Sequence, residues 1–164
     1  MSSLTVSEQL VHGGRELISR EGTGDLSVRR LVEAAGRSTM CVYSHFGSRK
    51  RLLAEVYRSC GEDLRAALAN ARNANDLEHG YAAYARKEPR HFQYLFAADL
   101  DGFGIDQSLR LDLIESVVDL AADRLGASRD EALACWLRVH GAVWLDTMQR
   151  LAGEPKRFNT AAAR

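Results

Sequence analysis

Between Ser27 and Leu53 the chain punctuates itself three times, at intervals that leave room only for brief helices. Ser27 stands as an N-cap ahead of Val28, Leu31, Val32 and Ala35, which share one face at helical spacing, and Gly36 ends that segment. Only Arg37 intervenes before Ser38, the cap of a second short helix from Thr39 to about Phe46. A third cap, Ser48, opens a long helix through Leu52, Leu53, Val56, Tyr57, Leu64, Leu68 and Ala71. Two helices of about two turns each, joined by a turn of about three residues, have the dimensions of a helix-turn-helix.

The rest of the chain carries the same periodicity. Apolar residues recur at helical steps over Thr5 to Arg20, Leu77 to Lys87, Pro89 to Ala98, Gln107 to Leu125 and Arg129 to Leu151, with a loop at Asp101 to Asp106. Pro89 suits the first position of a helix, where no amide hydrogen is needed. No run alternates in the manner of a strand, so the expected fold is all-α. Of the 164 residues, 46% are hydrophobic and 27% charged, a globular balance that can bury a core. The expected division is a helix-turn-helix headpiece over residues 1–53, a helical body over 54–153 and a flexible tail over 154–164. No stretch reaches the roughly 20 apolar residues of a membrane span, and the first residues lack a secretion signal, so the expected location is the cytoplasm, with no membrane partner. Cys41, Cys60 and Cys135 fit neither a disulfide framework nor a zinc site.

Charge is distributed unevenly. The formal net charge is zero, yet Ser27 to Arg51 holds Arg29, Arg30, Arg37, Arg49, Lys50 and Arg51 against the single acid Glu33, a local excess of five. A basic end on an acidic remainder orients a molecule toward a polyanion such as double-stranded DNA. A helix entering the major groove presents its first turn to base edges, which makes Thr39, Met40 and Cys41 the expected readers.

The segment LSVRRLVEAAGRSTMCVYSHFGSRKRLL, Leu26 to Leu53, closely resembles the headpiece of the TetR family of bacterial transcription regulators. It has the Ser/Thr-Val start, the Ala-Gly turn, the Tyr-x-x-Phe and the Ser/Asn-Lys-x-x-Leu-Leu pattern in order. The resemblance implies a transcription regulator, most often a repressor, that binds a pseudo-palindromic operator as a homodimer. It also implies that Ser27, Tyr43, His45 and Lys50 touch the DNA backbone, a role their hydroxyl, imidazole and ammonium groups suit. Ser38 and Arg37 complete the expected DNA-binding set. Arg37 departs from the pattern, which commonly has a small apolar residue there; its stem can cover the core while its charge reaches a phosphate. Val42 and Phe46 read as core, with core the lesser alternative for Tyr43. Cys41 near basic residues suggests a redox sensor, against which stands the simpler reading of a short weakly polar side chain at the groove.

In the body, Trp136, His140 and Trp144 stand at steps of four, with Leu133, Leu137 and Met148 expected on the same broad side. The run Trp136, His140, Gly141 resembles a Trp-His-Gly signature of one group of TetR-type bodies, and Tyr84, Pro89, Phe92, Tyr94 and Phe96 resemble its aromatic middle segment. The candidate lining of a cavity for a small apolar effector is therefore Tyr84, Phe92, Phe96, Trp136, His140 and Trp144, against the alternative that an aromatic stripe is simply core. Gly141 within the helix suggests a close approach to its backbone. Gln107 to Leu125 has two apolar sectors, one for its own subunit and one for a second copy, and Ile114, Val117, Val118 and Leu145 are the expected dimer contacts. No catalytic motif, metal-ligand spacing or cofactor fingerprint occurs, which ranks a small helical enzyme below a ligand-independent DNA-binding dimer as an alternative.

Overall fold

The computed structural model describes residues 4–155 and 157–160. Among them are eight helices and no strand: α1 (Val6–Glu21), α2 (Val28–Ala35), α3 (Thr39–Phe46), α4 (Arg49–Leu68), α5 (Ala74–Lys87), α6 (Pro89–Ala97), α7 (Ser108–Leu125) and α8 (Arg129–Leu151), with a 3-10 turn at Asp101–Phe103 inside the expected loop. The protein is all-α. Two boundaries differ from the periodicity: α4 stops at Leu68 instead of Ala71, and α5 begins at Ala74 instead of Leu77. The reason is a cap that the apolar pattern did not mark, because the Asn73 side chain accepts the amide of Asp76 at 3.0 Å. The expected tail, 154–164, extends beyond the described residues; within it, the Phe158 amide donates to the Gln149 side-chain oxygen.

The chain forms two units, Met1–Glu62 with Arg90–Arg110, and Asp63–Pro89 with Leu111–Arg164. In the first, Thr5 and Glu8 close a capping box at the start of α1, the Glu8 carboxylate accepting the Thr5 amide at 2.7 Å. Those hydrogen bonds hold the Glu8 carboxyl below the usual carboxylate range. Leu10, Leu17 and Ile18 of α1 are buried with Leu31, Val42, Leu52, Leu53 and Val56. Gly13 makes this packing possible: a Cβ there would stand 2.6 Å from the Ala35 backbone nitrogen, so α1 and α2 meet closer than any side chain allows.

Two buried tyrosines tie α4 to α6. Tyr94 donates its hydroxyl to the Leu53 carbonyl at 2.9 Å, Tyr57 donates to the Leu95 carbonyl at 2.9 Å, and the rings meet edge to face. Burial pushes the Tyr57 hydroxyl up to about 12 and raises that of Tyr94 as well. Arg110 donates to the carbonyls of Leu95 and Ala98, a cation at the carbonyl-rich end of α6.

In the second unit, α5 buries Leu77, Tyr81, Ala82, Tyr84 and Ala85. The α7 residues Leu113, Val117, Val118 and Ala121 are buried, as are Ala132, Val139, Ala142 and Val143 of α8. Ser128 and Glu131 make a second capping box. Arg129 then reaches back to Glu115 and Asp119 at 2.9 and 3.0 Å; all three groups are exposed, so these ion pairs orient α8 on α7 more than they stabilise it.

Candidate nucleic-acid interface

The turn between α2 and α3 is built by Gly36, whose φ of 62° is the left-handed conformation that favours glycine. The Arg37 amide returns to the Val32 carbonyl at 2.9 Å, so the chain leaves α2 sharply and reaches Ser38 within two residues. Ser27 and Ser38 hold the N-cap positions of α2 and α3, but contrary to expectation neither hydroxyl caps its helix. The backbone carbonyl of Ser38 accepts the Cys41 amide at 3.0 Å, leaving the Ser38 hydroxyl against the Cys41 sulfur at 3.5 Å. The Ser27 amide is engaged by Asp25 at 3.0 Å. At Ser48 the expected cap forms, its hydroxyl accepting from the Arg51 amide at 3.4 Å.

Helix α3 separates into a buried and an open side. Val42 is buried and Phe46 half-buried, while Thr39, Met40, Tyr43, Ser44 and His45 are exposed, Met40 at 71% and Tyr43 at 56%. Tyr43 is therefore not a core residue. Cys41 is half-buried, and hydrogen bonding from Ser38 lowers its thiol pKa, with Arg37 adding a smaller electrostatic pull.

The cations are not equivalent. Arg30 pairs with Glu21 and Glu33. Arg49 donates to the Leu26 carbonyl at 2.6 Å and lies over the Phe103 ring. These two brace the unit. Arg29, Arg37, Lys50 and Arg51 are exposed, which leaves unneutralised positive charge on and beside the helix-turn-helix segment. His45 Nδ1 lies 3.3 Å from the Ser7 hydroxyl, and Arg37 donates to the Gln9 side-chain oxygen. Neither Ser7 nor Gln9 stands out in the sequence, because both belong to α1 and meet their partners only across the fold.

The effector candidates fall in both units. Phe92 and Phe96 belong to the first, where their ring centroids are 4.9 Å apart. Tyr84 is buried in the second. There Trp136 and His140 stack at 4.7 Å, and Trp144 continues the stack at 6.5 Å. His140 Nδ1 lies 2.7 Å from the Tyr81 hydroxyl, a partner visible in the sequence only as one tyrosine of an apolar α5 stripe. Burial lowers the His140 pKa to about 4. Beside Tyr81 and Trp136, Leu77, Val117 and Val139 help line a cavity of about 30 Å³, room for about one water.

The broad side expected of α8 is in fact two sides. Trp136, His140 and Trp144 are half-buried, while Leu133, Leu137, Leu145 and Met148 are exposed, since one residue along a helix turns the side chain by 100°. Gly141 lies on the exposed side, with no atom of the described residues outside its own helix backbone within 4 Å of a Cβ placed there; among those residues the expected close approach is absent. Of the dimer candidates, Val117 and Val118 are buried within the chain's own fold, Ile114 is half-buried and Leu145 is exposed.

Residues 10–56 match the family described as bacterial regulatory proteins, tetR family. No curated protein shows significant sequence similarity to the chain. Among solved structures, a TetR-like transcriptional regulator from Rhodococcus sp. RHA1 is 21% identical with a TM-score of 0.63, the similarity covering 99% of this chain and 91% of that one. The TetR family transcriptional regulator PfmR from Thermus thermophilus is 19% identical with a TM-score of 0.56, over 96% and 89% of the two chains. At these identities the likeness is one of fold, and it extends over both units. The family match covers the helix-turn-helix itself: residues 10–56 carry the DNA-binding region of the bacterial regulatory proteins of the tetR family.

Proposed function

We propose that the protein is a homodimeric repressor that occupies a pseudo-palindromic operator, each headpiece of residues 1–53 placing α3 in the major groove. The observation that carries this reading is the open side of α3. Thr39 and Met40 are exposed on its first turn with Cys41 beside them, and the groups suited to phosphate, Ser27, Arg37, Ser38, Tyr43, His45 and Lys50, are exposed as well. First-turn side chains reach base edges, and the surrounding donors set register. A repressor of this kind works on DNA in the cytoplasm. No helix among the described residues is long and apolar enough to cross a membrane.

Dimerisation is supported by the body of residues 54–153. Leu111 on α7 is 64% exposed, and Leu133, Leu137, Leu145 and Met148 line one side of α8 with Gly141 open between them. A second copy of the same surface buries this stripe in a four-helix seam, which a twofold axis makes self-complementary. Ile114 and Leu145 belong to that seam.

Release by a small apolar effector is supported by the aromatic stack of Trp136, His140 and Trp144, with Tyr84 in the same unit. The effector must enlarge the cavity, because about 30 Å³ admits no metabolite. That volume favours a second reading, a DNA-binding dimer with no effector. Selection of bound fragments from random duplex DNA tests the first proposal. Inverted repeats whose centres lie one helical turn or a multiple apart are expected; recovery of no enriched sequence refutes it. Thermal melting against a metabolite panel separates the two readings of the body, since binding to the folded state raises the melting temperature.

A further inference from the structure

We infer that the first turns of α1 are part of the DNA-binding machinery, with Gln9 as the positioning residue for an Arg37 phosphate contact and Ser7 as that for His45. Arg37 lies in the turn immediately before α3, exposed, two residues from Thr39. A long cation on a turn samples many rotamers, and fixing it costs affinity at the moment of binding. Here the fixing is done in advance. The Gln9 side-chain amide donates from Nε2 to the Leu4 carbonyl at 3.0 Å, which settles its orientation, and its oxygen accepts from Arg37 Nη2. A guanidinium has five N–H donors in a rigid plane, so engagement of one edge by a neutral acceptor leaves the full positive charge and further donors for a phosphate oxygen. A neutral partner matters: Arg30, by contrast, is paired with two carboxylates and its charge is offset.

His45 is treated in the same way. The Ser7 hydroxyl lies 3.3 Å from Nδ1; in the neutral tautomer with the ring proton on Nε2, the hydroxyl donates to Nδ1 and holds that tautomer in place. Nε2–H is then a directed donor at the exposed edge of α3. Two side chains of the helix-turn-helix are thus held by one short stretch of α1, itself anchored by the Thr5–Glu8 capping box.

This inference rests on the DNA-binding reading, and the test separates the two. The salt dependence of binding is measured on a mixed-sequence duplex and on a duplex carrying a selected site. Arg37→Ala should lower the slope of log K against log salt by about 0.9 for each phosphate that is no longer neutralised. Gln9→Ala should weaken binding roughly two- to tenfold on both duplexes alike, with an unchanged melting temperature. Adding Gln9→Ala to Arg37→Ala should cost nothing further, because the two act through one phosphate. Arg37→Lys should keep most of the slope and become insensitive to Gln9→Ala. Ser7→Ala should weaken binding on both duplexes alike and add nothing to His45→Ala. An unchanged slope in Arg37→Ala, full additivity of either pair, or tighter binding by Gln9→Ala overturns the inference. A wild-type protein that binds neither duplex overturns the DNA-binding reading instead.

Discussion

The hydroxyl of Tyr81 lies 2.7 Å from Nδ1 of His140, joining α5 to the middle of α8 by a polar contact between a buried ring and a half-buried one. Because the ring is kept neutral, its environment sets a pH dependence. The folded pKa of His140 is about 4, against an ordinary 6.5, so below pH 6.5 the unfolded chain takes up a proton that the folded chain refuses. Stability from this group is complete above pH 6.5 and is lost as pH falls toward 4. Thermal melts across that window should show the decline, and His140→Gln should reduce its slope. The variant should also be less stable at neutral pH, by about 0.5–1.5 kcal/mol for the hydrogen bond lost between Tyr81 and the ring; equal slopes in both proteins would contradict the assignment.

Leu137→Asp should yield monomers by sedimentation while far-UV circular dichroism and melting stay near those of an isolated folded protomer. Leu137 is 56% exposed within the protomer, so a carboxylate there is costly only when a second copy covers it. Val117→Asp is the contrast. With 1% exposure, this site puts the charge inside the protomer's own core, and loss of folding, not clean dissociation, should result.

Lys50→Ala should weaken binding to all duplexes alike and flatten the salt dependence if the exposed ammonium at the start of α4 takes the proposed phosphate contact, which reads no sequence. Replacing Thr39 or Met40 should instead change which bases selection recovers. Identical selected sites for wild type and both variants would move the base readers elsewhere.

Gly13→Ala should destabilise the first unit by about 1–3 kcal/mol or more, the usual cost of overpacking, because the new Cβ meets backbone and not a side chain that can turn away. Gly141→Ala is the matched control in α8. With nothing among the described residues within 4 Å beyond its own helix backbone, it should be neutral to stabilising by up to about 1 kcal/mol in the monomer through helix propensity. Chemical denaturation of both variants decides.

Local chemistry was sufficient for the helices and for the motif. Caps such as Ser48, the stop at Gly36 and the Leu31/Val32 and Leu52/Leu53/Val56 spacings act over one or two turns, and such interactions are legible along the chain because helical hydrogen bonds span four residues. The positions of Thr39 and Met40 on the first turn of α3 follow from that register alone. Tertiary structure decided what each face meets. A 100° period places Trp136 and Leu137 on different sectors of α8, yet only packing shows that the first is half-buried and the second open to solvent. Nor does periodicity separate Gly13, pressed against α2, from Gly141, open among the described residues. The partners of Arg37, His45 and His140 lie 28, 38 and 59 residues away, contacts made only once loops have closed and cores have packed, and no local pattern encodes them.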